Sequence, residues 1–390
     1  MRICIVVNTF PAVSETFIIN KVAGLAARGH KIHVVCSDKK SNEDLFMRYD
    51  LGSPNIKVHT LRIERKLADL IINFINTPSL LFKSFSINPT TFAQKYVYNY
   101  QLAFFKRLRC DIIHFEFSGI GISFLPIIDA LRGKKVVSCR GTAEKVKPLV
   151  DEKRKTLITK LFYKVDAIHC VSDDMAKTIE PYVSTASKVF INRPAIDVSF
   201  FNGTPSYEKK EKFQLLSVGR LSYAKGYVTG LLVVRDLVAK GYDVNLNIIG
   251  DGPQMEEVIF HINQMKITGH VTLLGRRNRD AVRAFCEQAD VFLLTSYFEG
   301  LPNVALEAMA MQLPVVSTKC GGVEEAIEHG VDGFIADVYD HTKLTEYVAA
   351  LLDNPELRRK IGNAAKQKVV NEFTLQRQLD VFENEYKKLL

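Results

Sequence analysis

Residues 291–310 have the sequence Val291-Phe292-Leu293-Leu294-Thr295-Ser296-Tyr297-Phe298-Glu299-Gly300-Leu301-Pro302-Asn303-Val304-Ala305-Leu306-Glu307-Ala308-Met309-Ala310. The first four residues form a short apolar run, which is typical of a strand buried on both faces of a parallel sheet. A loop with a glycine follows, and Pro302 suits the first turn of a helix that continues to about Met311. A strand, a loop and a helix in this order form the repeating unit of doubly wound α/β domains.

Apolar runs of similar length recur along the chain between segments with helical spacing. In the first half they are Ile3–Val7, Ile32–Cys36, Ile112–Phe115, Val136–Cys139, Ile168–Val171 and Val189–Ile191. In the second half they are Gln214–Val218, Leu246–Ile249, Val271–Leu274, Val291–Leu294 and Val315–Ser317. Each half alone is typical of an α/β domain with a parallel sheet, so the sequence predicts two Rossmann-like domains that face each other across a cleft.

A polar stretch separates the two predicted domains. Residues 202–212 contain glycine, proline and charged side chains with almost no apolar ones, which is typical of an exposed linker. We expect a first domain over 1–197, a linker over 198–212, a second domain over 213–370 and a C-terminal helix over 371–390. One apolar stripe runs along this last helix, made by Leu375, Leu379, Phe382, Tyr386 and Leu389.

The composition excludes several classes of protein. With 390 residues, 47% hydrophobic and 24% charged, the chain is neither disordered nor a small disulfide-stabilised scaffold. The seven cysteines are far apart and form no CxxC pair, which argues against a structural zinc site and fits a reducing compartment. The apolar run after Met1 is too short for a signal peptide, and no run reaches the roughly 18 residues of a membrane-spanning helix. We therefore expect a cytoplasmic protein.

The positive charge is concentrated in the first half. The net charge is +9, of which residues 1–195 carry +13 and residues 196–390 carry −4. Residues 62–109 hold eight basic and two acidic side chains beside many apolar and aromatic ones, and residues 132–164 hold eleven basic and three acidic. Basic charge beside an apolar stripe suits a helix on an anionic membrane surface. Core packing of the stripe and simple solvation of the charges are the alternatives.

Two cations follow the strand Gln214–Val218, in Gly219-Arg220-Leu221-Ser222-Tyr223-Ala224-Lys225-Gly226. Arg220 and Lys225 lie where a strand ends and a helix begins, which is the geometry of a phosphate site. Two solvated surface charges are the alternative. After the next strand, Gly250-Asp251-Gly252-Pro253 forms a tight turn and lacks the complete glycine pattern of a dinucleotide-binding loop.

Two carboxylates mark the 291–310 segment. Gly300 allows a close approach of the backbone to a ligand, and the N–H groups near Asn303 and Val304 favour an anion. Glu307 falls on the apolar part of the predicted helix, where a carboxylate needs hydrogen-bond donors. The two hydroxyls of a ribose are suitable donors. A favourable charge at the helix start is the alternative role for Glu299, and an internal salt bridge is the alternative for Glu307.

The second half resembles a known family through several motifs in a fixed order. These are Arg220 with Lys225, the Gly-Asp-Gly-Pro turn, Glu299 with Glu307, Pro314–Glu325 and Gly330–Phe334. Together they are similar to the retaining family-4 glycosyltransferases of GT-B fold. The resemblance implies two Rossmann-like domains, with the C-terminal helix packing back on the first, and transfer of a sugar from a nucleotide-diphosphate donor.

The resemblance also implies roles for individual residues. Arg220 and Lys225 hold the diphosphate and stabilise the leaving group, Glu307 binds the ribose, and Glu299 lies near the donor sugar. Contacts to the donor, which include the base beside Leu274 and Gly275, are implied for Gly219, Gly250, Leu274, Gly275, Gly300, Leu301, Pro302, Asn303 and Val304.

No metal ion or other cofactor is expected. The chain has no Asp-x-Asp sequence, so a carboxylate-bound Mg²⁺ is not indicated, and cations and amide dipoles would stabilise the departing diphosphate instead. A hydrolytic pair of carboxylates is a competing role for Glu299 and Glu307. An Arg/Lys phosphate site has no purpose in that chemistry.

The loop after the first strand departs from the family's glycine-rich pattern. It contains Phe10-Pro11-Ala12-Val13-Ser14-Glu15-Thr16-Phe17, a variant that resembles the glycosyltransferases of bacterial exopolysaccharides of the colanic-acid type. Ser14, Glu15 and Thr16 predict a helix start. They either contact the donor diphosphate or the acceptor, or only cap the helix.

Three further residues are candidates for the acceptor or donor-sugar side. His114 and Glu116 lie on one strand face, and Arg140 follows the next strand. Many relatives have His-Gly at Arg140-Gly141, so a role that needs a titrating imidazole is in doubt here. Arg140 holds a phosphate or a carboxylate, or else forms a structural ion pair with Glu116.

The sequence therefore predicts a metal-independent, retaining transfer of a hexose from a UDP- or GDP-sugar. The expected acceptor is a lipid-linked saccharide of a surface polysaccharide, bound by the first domain at the inner face of the membrane. The alternatives are another GT-B enzyme, such as a sugar-nucleotide epimerase or a synthase, and a nucleotide-sugar-binding protein without turnover. Nucleic acid is not an expected partner.

Overall fold

Two parallel β-sheets organise the chain, and each has the strand order of a doubly wound fold. The first has seven strands in the order β3-β2-β1-β4-β5-β6-β7, and the second has six in the order β10-β9-β8-β11-β12-β13. A computed structural model describes residues 1–12, 15–61, 91–185, 188–208 and 212–390. The predicted α/β class with two Rossmann-like domains is confirmed.

The strands of the first sheet are β1 (Arg2–Phe10), β2 (Lys31–Lys39), β3 (Ile56–Thr60), β4 (Ile112–Phe115), β5 (Lys134–Cys139), β6 (Ala167–Cys170) and β7 (Val189–Ile191). Those of the second are β8 (Phe213–Val218), β9 (Val244–Ile249), β10 (Val271–Gly275), β11 (Val291–Leu294), β12 (Val315–Thr318) and β13 (Phe334–Ala336). All neighbouring strands pair in parallel. The sequence did not predict β3 or β13, which are short and only partly buried.

Helices connect the strands of both sheets. Around the first sheet they are α1 (Thr16–Ala27), α2 (Glu43–Arg48), α3 (Phe92–Leu108), α4 (Ser118–Ser123), α5 (Thr142–Lys145), α6 (Lys147–Val150), α7 (Glu152–Lys164) and α8 (Asp173–Ile179). Around the second they are α9 (Tyr227–Ala239), α10 (Met255–Gln264), α11 (Arg279–Gln288), α12 (Asn303–Ala310), α13 (Val323–Ala326), α14 (His341–Asp353) and α15 (Pro355–Glu372). The last helix is α16 (Leu375–Leu389).

Local sequence explains many helix starts. Thr91, Asp151, Asn278 and Asn354 each accept a hydrogen bond from a backbone N–H of the first turn of the following helix. The central strands β4, β6, β11 and β12 are buried along their whole length, as expected for strands covered by helices on both faces.

The chain divides into two compact units. The first consists of residues 1–171, 175–192 and 379–390, and the second of 172–174 and 193–378. Leu379, Phe382 and Tyr386 of α16 belong to the core formed with Ile3, Ile5 and Val22. The expectation that the C-terminal helix packs on the first domain is therefore confirmed for residues 379–390, whereas residues 371–378 of the expected segment lie in the second unit.

The linker expectation differs from the structure. Residues 198–208 and 212 lie within the second unit, where Phe201 is fully buried and Tyr207 donates a hydrogen bond to the carbonyl of Gln312. These two aromatic side chains hold the stretch against the second unit. The sequence predicted an exposed linker because most residues of the stretch are polar.

Two further findings concern the described residues. None of their helices is long and apolar enough to cross a membrane. All seven cysteines are buried and free.

Candidate functional site

The second unit places its candidate residues beyond the carboxyl ends of its strands. The order of the sheet reverses between β8 and β11, and open α/β sheets bind ligands at such a switch point. The loop after β8 carries Gly219, Arg220 and Lys225, and the loop after β11 carries Glu299. The two loops are joined by a 2.8 Å hydrogen bond from the Tyr297 N–H to the Ala224 carbonyl.

Lys225 and Glu299 form an ion pair in which the Lys225 ammonium donates to Glu299 Oε1. Ser296 Oγ donates to the same oxygen at 2.8 Å. Arg220 is exposed and has no side-chain hydrogen bond or ion pair with any residue that the structure describes. Lys225 is therefore held in place by the Glu299 carboxylate. Arg220, in the same loop, is exposed to solvent.

Glycines allow the loops to pack closely at this edge. A Cβ on Gly250 would lie 1.8 Å from the Gly219 carbonyl oxygen, and the Gly250 N–H donates to the Gly275 carbonyl at 3.0 Å. A Cβ on Gly226, which has φ +58°, would lie 2.2 Å from the Thr295 carbonyl oxygen. The predicted contact residues Gly219, Gly250, Leu274 and Gly275 are thus brought to one edge, with Leu274 partly buried at the end of β10.

The segment after Glu299 has one difference from the sequence expectation. Pro302 does not lie in the first helical turn but immediately before it, with an extended backbone, and α12 begins at Asn303. Gly300, Leu301 and Pro302 are buried, while Asn303 and Val304 are partly exposed. The first N–H groups of α12 have no acceptor within the helix and form the positive end of its dipole.

Glu307 lies one helical turn after Asn303 and is half-buried. Burial raises the pKa of Glu307 to about 7, and the positive charge of Arg279 at the start of α11 opposes this shift. No side chain of the described residues donates a hydrogen bond to it. A carboxylate in this position has unused acceptor capacity, which suits a ligand that offers hydroxyl groups.

The first unit shows a second set of candidates at the carboxyl ends of β1, β4 and β5. The expectation for Ser14 lies outside the described residues. Helix α1 begins at Thr16, directly after Glu15, whose side chain does not cap the helix. Burial raises the pKa of the Glu15 carboxyl, and the charge of Arg140 opposes this.

Glu116 and Arg140 form the ion pair that the sequence left as one of two possibilities. Arg140 Nη2 lies 2.6 Å from Glu116 Oε2, and its Nε donates to the Glu116 backbone carbonyl at 3.2 Å. The guanidinium lies 4.3 Å from the ring centre of Phe17. His114 is fully buried beneath this pair, so it lies among interior contacts and not at the exposed edge.

Two family models match adjacent parts of the chain. "Glycosyltransferase Family 4" matches residues 14–200, and "Glycosyl transferases group 1" matches residues 203–368. The chain belongs to the family-4 glycosyltransferases. The GT-B resemblance inferred from the sequence motifs is confirmed, and the protein is an enzyme of the glycosyltransferase class.

Curated relatives match this glycosyltransferase over nearly its full length. The putative colanic acid biosynthesis glycosyltransferase WcaL of Escherichia coli is 25% identical, covering 96% of this chain and 97% of the relative. The amylovoran biosynthesis glycosyltransferase AmsK of Erwinia amylovora is 27% identical, with 96% of each chain covered. Among solved structures, Anabaena Alr3699/HepE in complex with UDP-glucose is similar with a TM-score of 0.77 at 16% identity, over all of both chains.

Sequence reasoning missed two residues of the first unit of this glycosyltransferase. Glu144 Oε2 accepts from the backbone N–H groups of Arg140 at 3.1 Å and Gly141 at 3.2 Å, which fixes the loop after β5. Lys21 is 1% exposed and lies 2.6 Å from Glu116. Its position among Ile18, Ile19 and Val22 on an apolar helix was the signal that could have revealed it.

Proposed function

We propose that this glycosyltransferase transfers a hexose, with retention, from a UDP- or GDP-sugar to a lipid-linked saccharide during assembly of a surface polysaccharide. The observation that carries the donor side is the pair Arg220 and Lys225 at the switch point of the second sheet, one exposed and one fixed by Glu299. The similarity to a fold solved with UDP-glucose supports the same donor class.

Cleavage of a glycosyl phosphate develops negative charge on the departing diphosphate. Arg220, Lys225 and the N–H groups at the start of α12 are arranged to stabilise that charge, and one well-placed donor contributes a rate factor of roughly 100 or more. Glu307 accepts hydrogen bonds from the ribose hydroxyls. The described residues include no group of three His, Cys, Asp or Glu side chains able to hold a metal ion. We propose that the two cations supply the positive charge and that no metal is required.

Donor hydrolysis and transfer test this proposal directly. The purified enzyme is incubated with a set of UDP- and GDP-sugars in EDTA, and the anomer released is identified by NMR. We expect slow release of a product with the donor's anomeric configuration. Inversion would refute retention, strict dependence on Mg²⁺ would refute the metal-free mechanism, and intact donor binding without any turnover would support the binding-protein alternative.

Substitution of the two cations separates chemistry from binding. Because they act on the leaving group, Arg220→Ala and Lys225→Met each lower kcat by roughly 100-fold, with little change in the affinity for the nucleoside alone. Arg359→Ala and Lys360→Met, exposed on α15, are the matched controls and keep full activity. Unchanged kcat in both site variants would contradict the leaving-group role.

The acceptor side of the proposal has two supports. The relatives whose names refer to colanic acid and amylovoran biosynthesis match 96% of the chain, which supports a polysaccharide acceptor. The first unit carries Arg140 at the carboxyl edge of its sheet, where it is suited to an anionic group.

Docking on an anionic membrane surface completes the proposal. Of the basic segment 62–109, residues 62–90 lie outside the described residues, and in α3 the side chains of Leu102, Ala103 and Phe105 pack in the core. The second basic segment, residues 132–164, is more suitable for a membrane contact, because its residues Leu149 and Val150 on α6 are 77% and 80% exposed. Exposed apolar side chains among lysines fit a lipid surface with acidic headgroups.

Vesicle flotation tests the membrane proposal. The wild type is expected to float with vesicles that contain phosphatidylglycerol and to remain in solution with neutral vesicles. Leu149→Ser with Val150→Ser reduces flotation because apolar area is lost from the contact, whereas Met47→Ser, another exposed apolar residue, does not. Equal flotation of all three proteins would contradict this docking surface.

A further inference from the structure

The ammonium of Lys21 is fully buried, and each of its three N–H donors has an acceptor. It lies 2.6 Å from Glu116 Oε1 and 2.9 Å from His114 Nδ1, and its Nζ lies 3.9 Å from the ring centre of Phe382. An ammonium has three donors, and these are three acceptors, counting the π face of the ring. Glu116 itself is 0% exposed; burial alone would raise the pKa of its carboxyl, but the positive charges of Lys21 and Arg140 hold that pKa below its usual range, so the pair is ionised in the interior of the first unit.

A chain of hydrogen bonds fixes the direction of the Lys21 contact. His169 Nε2 lies 2.8 Å from the Asn192 carbonyl, which can only accept, so His169 Nδ1 accepts from Ser138 Oγ at 2.8 Å. Ser138 Oγ in turn accepts from His114 Nε2 at 2.7 Å. His114 Nδ1 is therefore an acceptor, as a protonated Lys21 requires.

Two other observations fit this assignment. The Tyr386 hydroxyl, 2.5 Å from His114 Nδ1, shares the lone pair of that nitrogen. Burial lowers the pKa of both histidines, that of His169 to about 3, which keeps them neutral.

Glu116 therefore divides its two oxygens between two cations. Oε1 faces Lys21 and Oε2 faces Arg140. Arg140 uses only Nε and one hydrogen of Nη2 on Glu116, so the outer edge of its guanidinium, formed by Nη1 and the second hydrogen of Nη2, is uncommitted toward the described residues. This edge has the spacing for a two-point contact with an oxyanion.

We propose that Lys21 is a positioning residue for the acceptor: by neutralising Glu116 from the interior, it leaves Arg140 with the charge and the free edge to bind an oxyanion of the acceptor. That oxyanion is a phosphate or a sugar carboxylate. The inference rests on the proposed function for its biological meaning, but the binding event it describes does not require turnover.

The charged and titratable groups around Lys21 determine how the proposed anion binding depends on pH. Lys21 faces Glu116 and His114 from β4 and the loop after it, Arg140 from the loop after β5, His169 from β6 and Tyr386 from α16, and Glu15 precedes its own helix. Burial lowers the pKa of Lys21 to about 8, Glu116 opposes this shift, and Arg140 adds to it. Above that pH Lys21 becomes neutral, and the full charge of Glu116 then falls on Arg140.

Anion binding in the absence of turnover tests the proposal. The full-length protein, saturated with UDP to occupy the donor site, is titrated calorimetrically with sulfate and, separately, with glucuronate at pH 7. Both probes keep a constant charge between pH 7 and 9, and the tighter probe indicates whether the natural group is a phosphate or a carboxylate. Lys21→Met and Arg140→Met should each weaken binding by about tenfold or more, and Lys31→Met, an exposed lysine of the same unit, should not.

The double variant Lys21→Met with Glu116→Gln distinguishes positioning from a merely structural role. It removes both buried charges, so it is less prone to misfold than Lys21→Met alone, and it leaves Arg140 charged. We expect it to recover binding to within about threefold of the wild type. The wild-type affinity should fall about tenfold from pH 7 to pH 9, and that of the double variant should not.

Three outcomes would overturn the proposal: no binding of either probe, unchanged binding by Lys21→Met, or a double variant that neither recovers binding nor loses the pH dependence. These outcomes are independent of the kcat of the Arg220 and Lys225 variants. A failure here is therefore distinguishable from a failure of the proposed function.

Discussion

Glu307 is a carboxylate on an apolar helix face, so a ligand that binds there has to offer hydrogen-bond donors. Its helix is otherwise packed by Ala305, Leu306, Ala308 and Met309, which are all fully buried. A charged carboxylate is costly there unless donors reach it. Because burial raises the pKa of Glu307 to about 7, its carboxyl changes protonation state near neutral pH.

The affinity for a nucleoside should therefore depend on pH. Glu307 is ionised above about pH 7, the form that in the proposed role accepts from the ribose hydroxyls, and below that pH its protonated form loses acceptor capacity. Uridine and guanosine, which carry no phosphate that titrates in this range, are titrated calorimetrically. The nucleoside that binds should do so about tenfold more weakly at pH 6 than at pH 8.

Glu307→Gln is the control for this pH effect. It binds the nucleoside more weakly than the wild type does at pH 8, because the amide accepts with only one oxygen, and its affinity is the same at both pH values. A wild-type affinity that does not change with pH would contradict the ribose-binding role.

The residue scale also shows what sequence could and could not predict. Arg220, Lys225 and Glu299 were recognisable because they follow apolar strands directly and match a family motif. Lys21 and Glu144 were not, because each acts through another side chain or a backbone group that only the tertiary fold brings near. His114 was predicted at the site from strand alternation, but alternation cannot distinguish the exposed end of a strand from its buried middle.

At the scale of elements, the C-terminal helix α16 shows most clearly how a local sequence pattern predicts a buried face. The residues that pack on this face lie far away in the sequence. Its apolar stripe has helical spacing, which predicted the helix and its buried face. Phe382 is 1% exposed and contacts Lys21, while its ring centre lies 4.9 Å from that of His169. The stripe therefore covers both apolar core and the buried polar network.

Truncation of Phe382 should destabilise the first unit. Phe382→Ala removes a fully buried ring and leaves a cavity beside the Lys21 ammonium, so we expect a loss of about 3–5 kcal/mol in the free energy of unfolding. Chemical denaturation followed by circular dichroism measures it. Lys388→Ala, on the exposed side of the same helix, should change stability by less than about 0.5 kcal/mol. A similar small change in Phe382→Ala would show that α16 is not part of this core.

The short edge strands β3 and β13 could not be predicted from the sequence for a related reason. The strand β3 has only two apolar residues, Ile56 and Val58, among Lys57, His59 and Thr60, and β13 has only three residues. Both form because a neighbouring strand supplies a parallel partner, β2 for β3 and β12 for β13. A pattern of apolar runs cannot report a partner that lies elsewhere in the chain.

At the scale of the whole molecule, the two units repeat one topology but differ in how they are completed. The second unit is nearly continuous in sequence, from 193 to 378 with only three added residues. The first unit requires residues 379–390 from the far end of the chain. The +13 charge of the first half and the −4 of the second fit this division into two separately organised parts.

The two units should accordingly differ when expressed alone. A chain of residues 193–378 should fold and bind UDP, because its core and the Arg220, Lys225 and Glu307 site are internal to it. A chain of residues 1–192 should be largely insoluble, because it exposes the apolar surface that Leu379, Phe382 and Tyr386 cover and leaves Lys21 without its aromatic contacts.

Appending residues 379–390 to the first unit through a Gly/Ser linker should restore a soluble, cooperatively unfolding domain, and the same segment carrying Phe382→Ala should restore less. Solubility and denaturation curves measure both effects. If residues 1–192 fold equally well without the helix, the contribution of α16 to the first core is smaller than its burial implies. The Glu116–Arg140 edge would then form without support from the end of the chain.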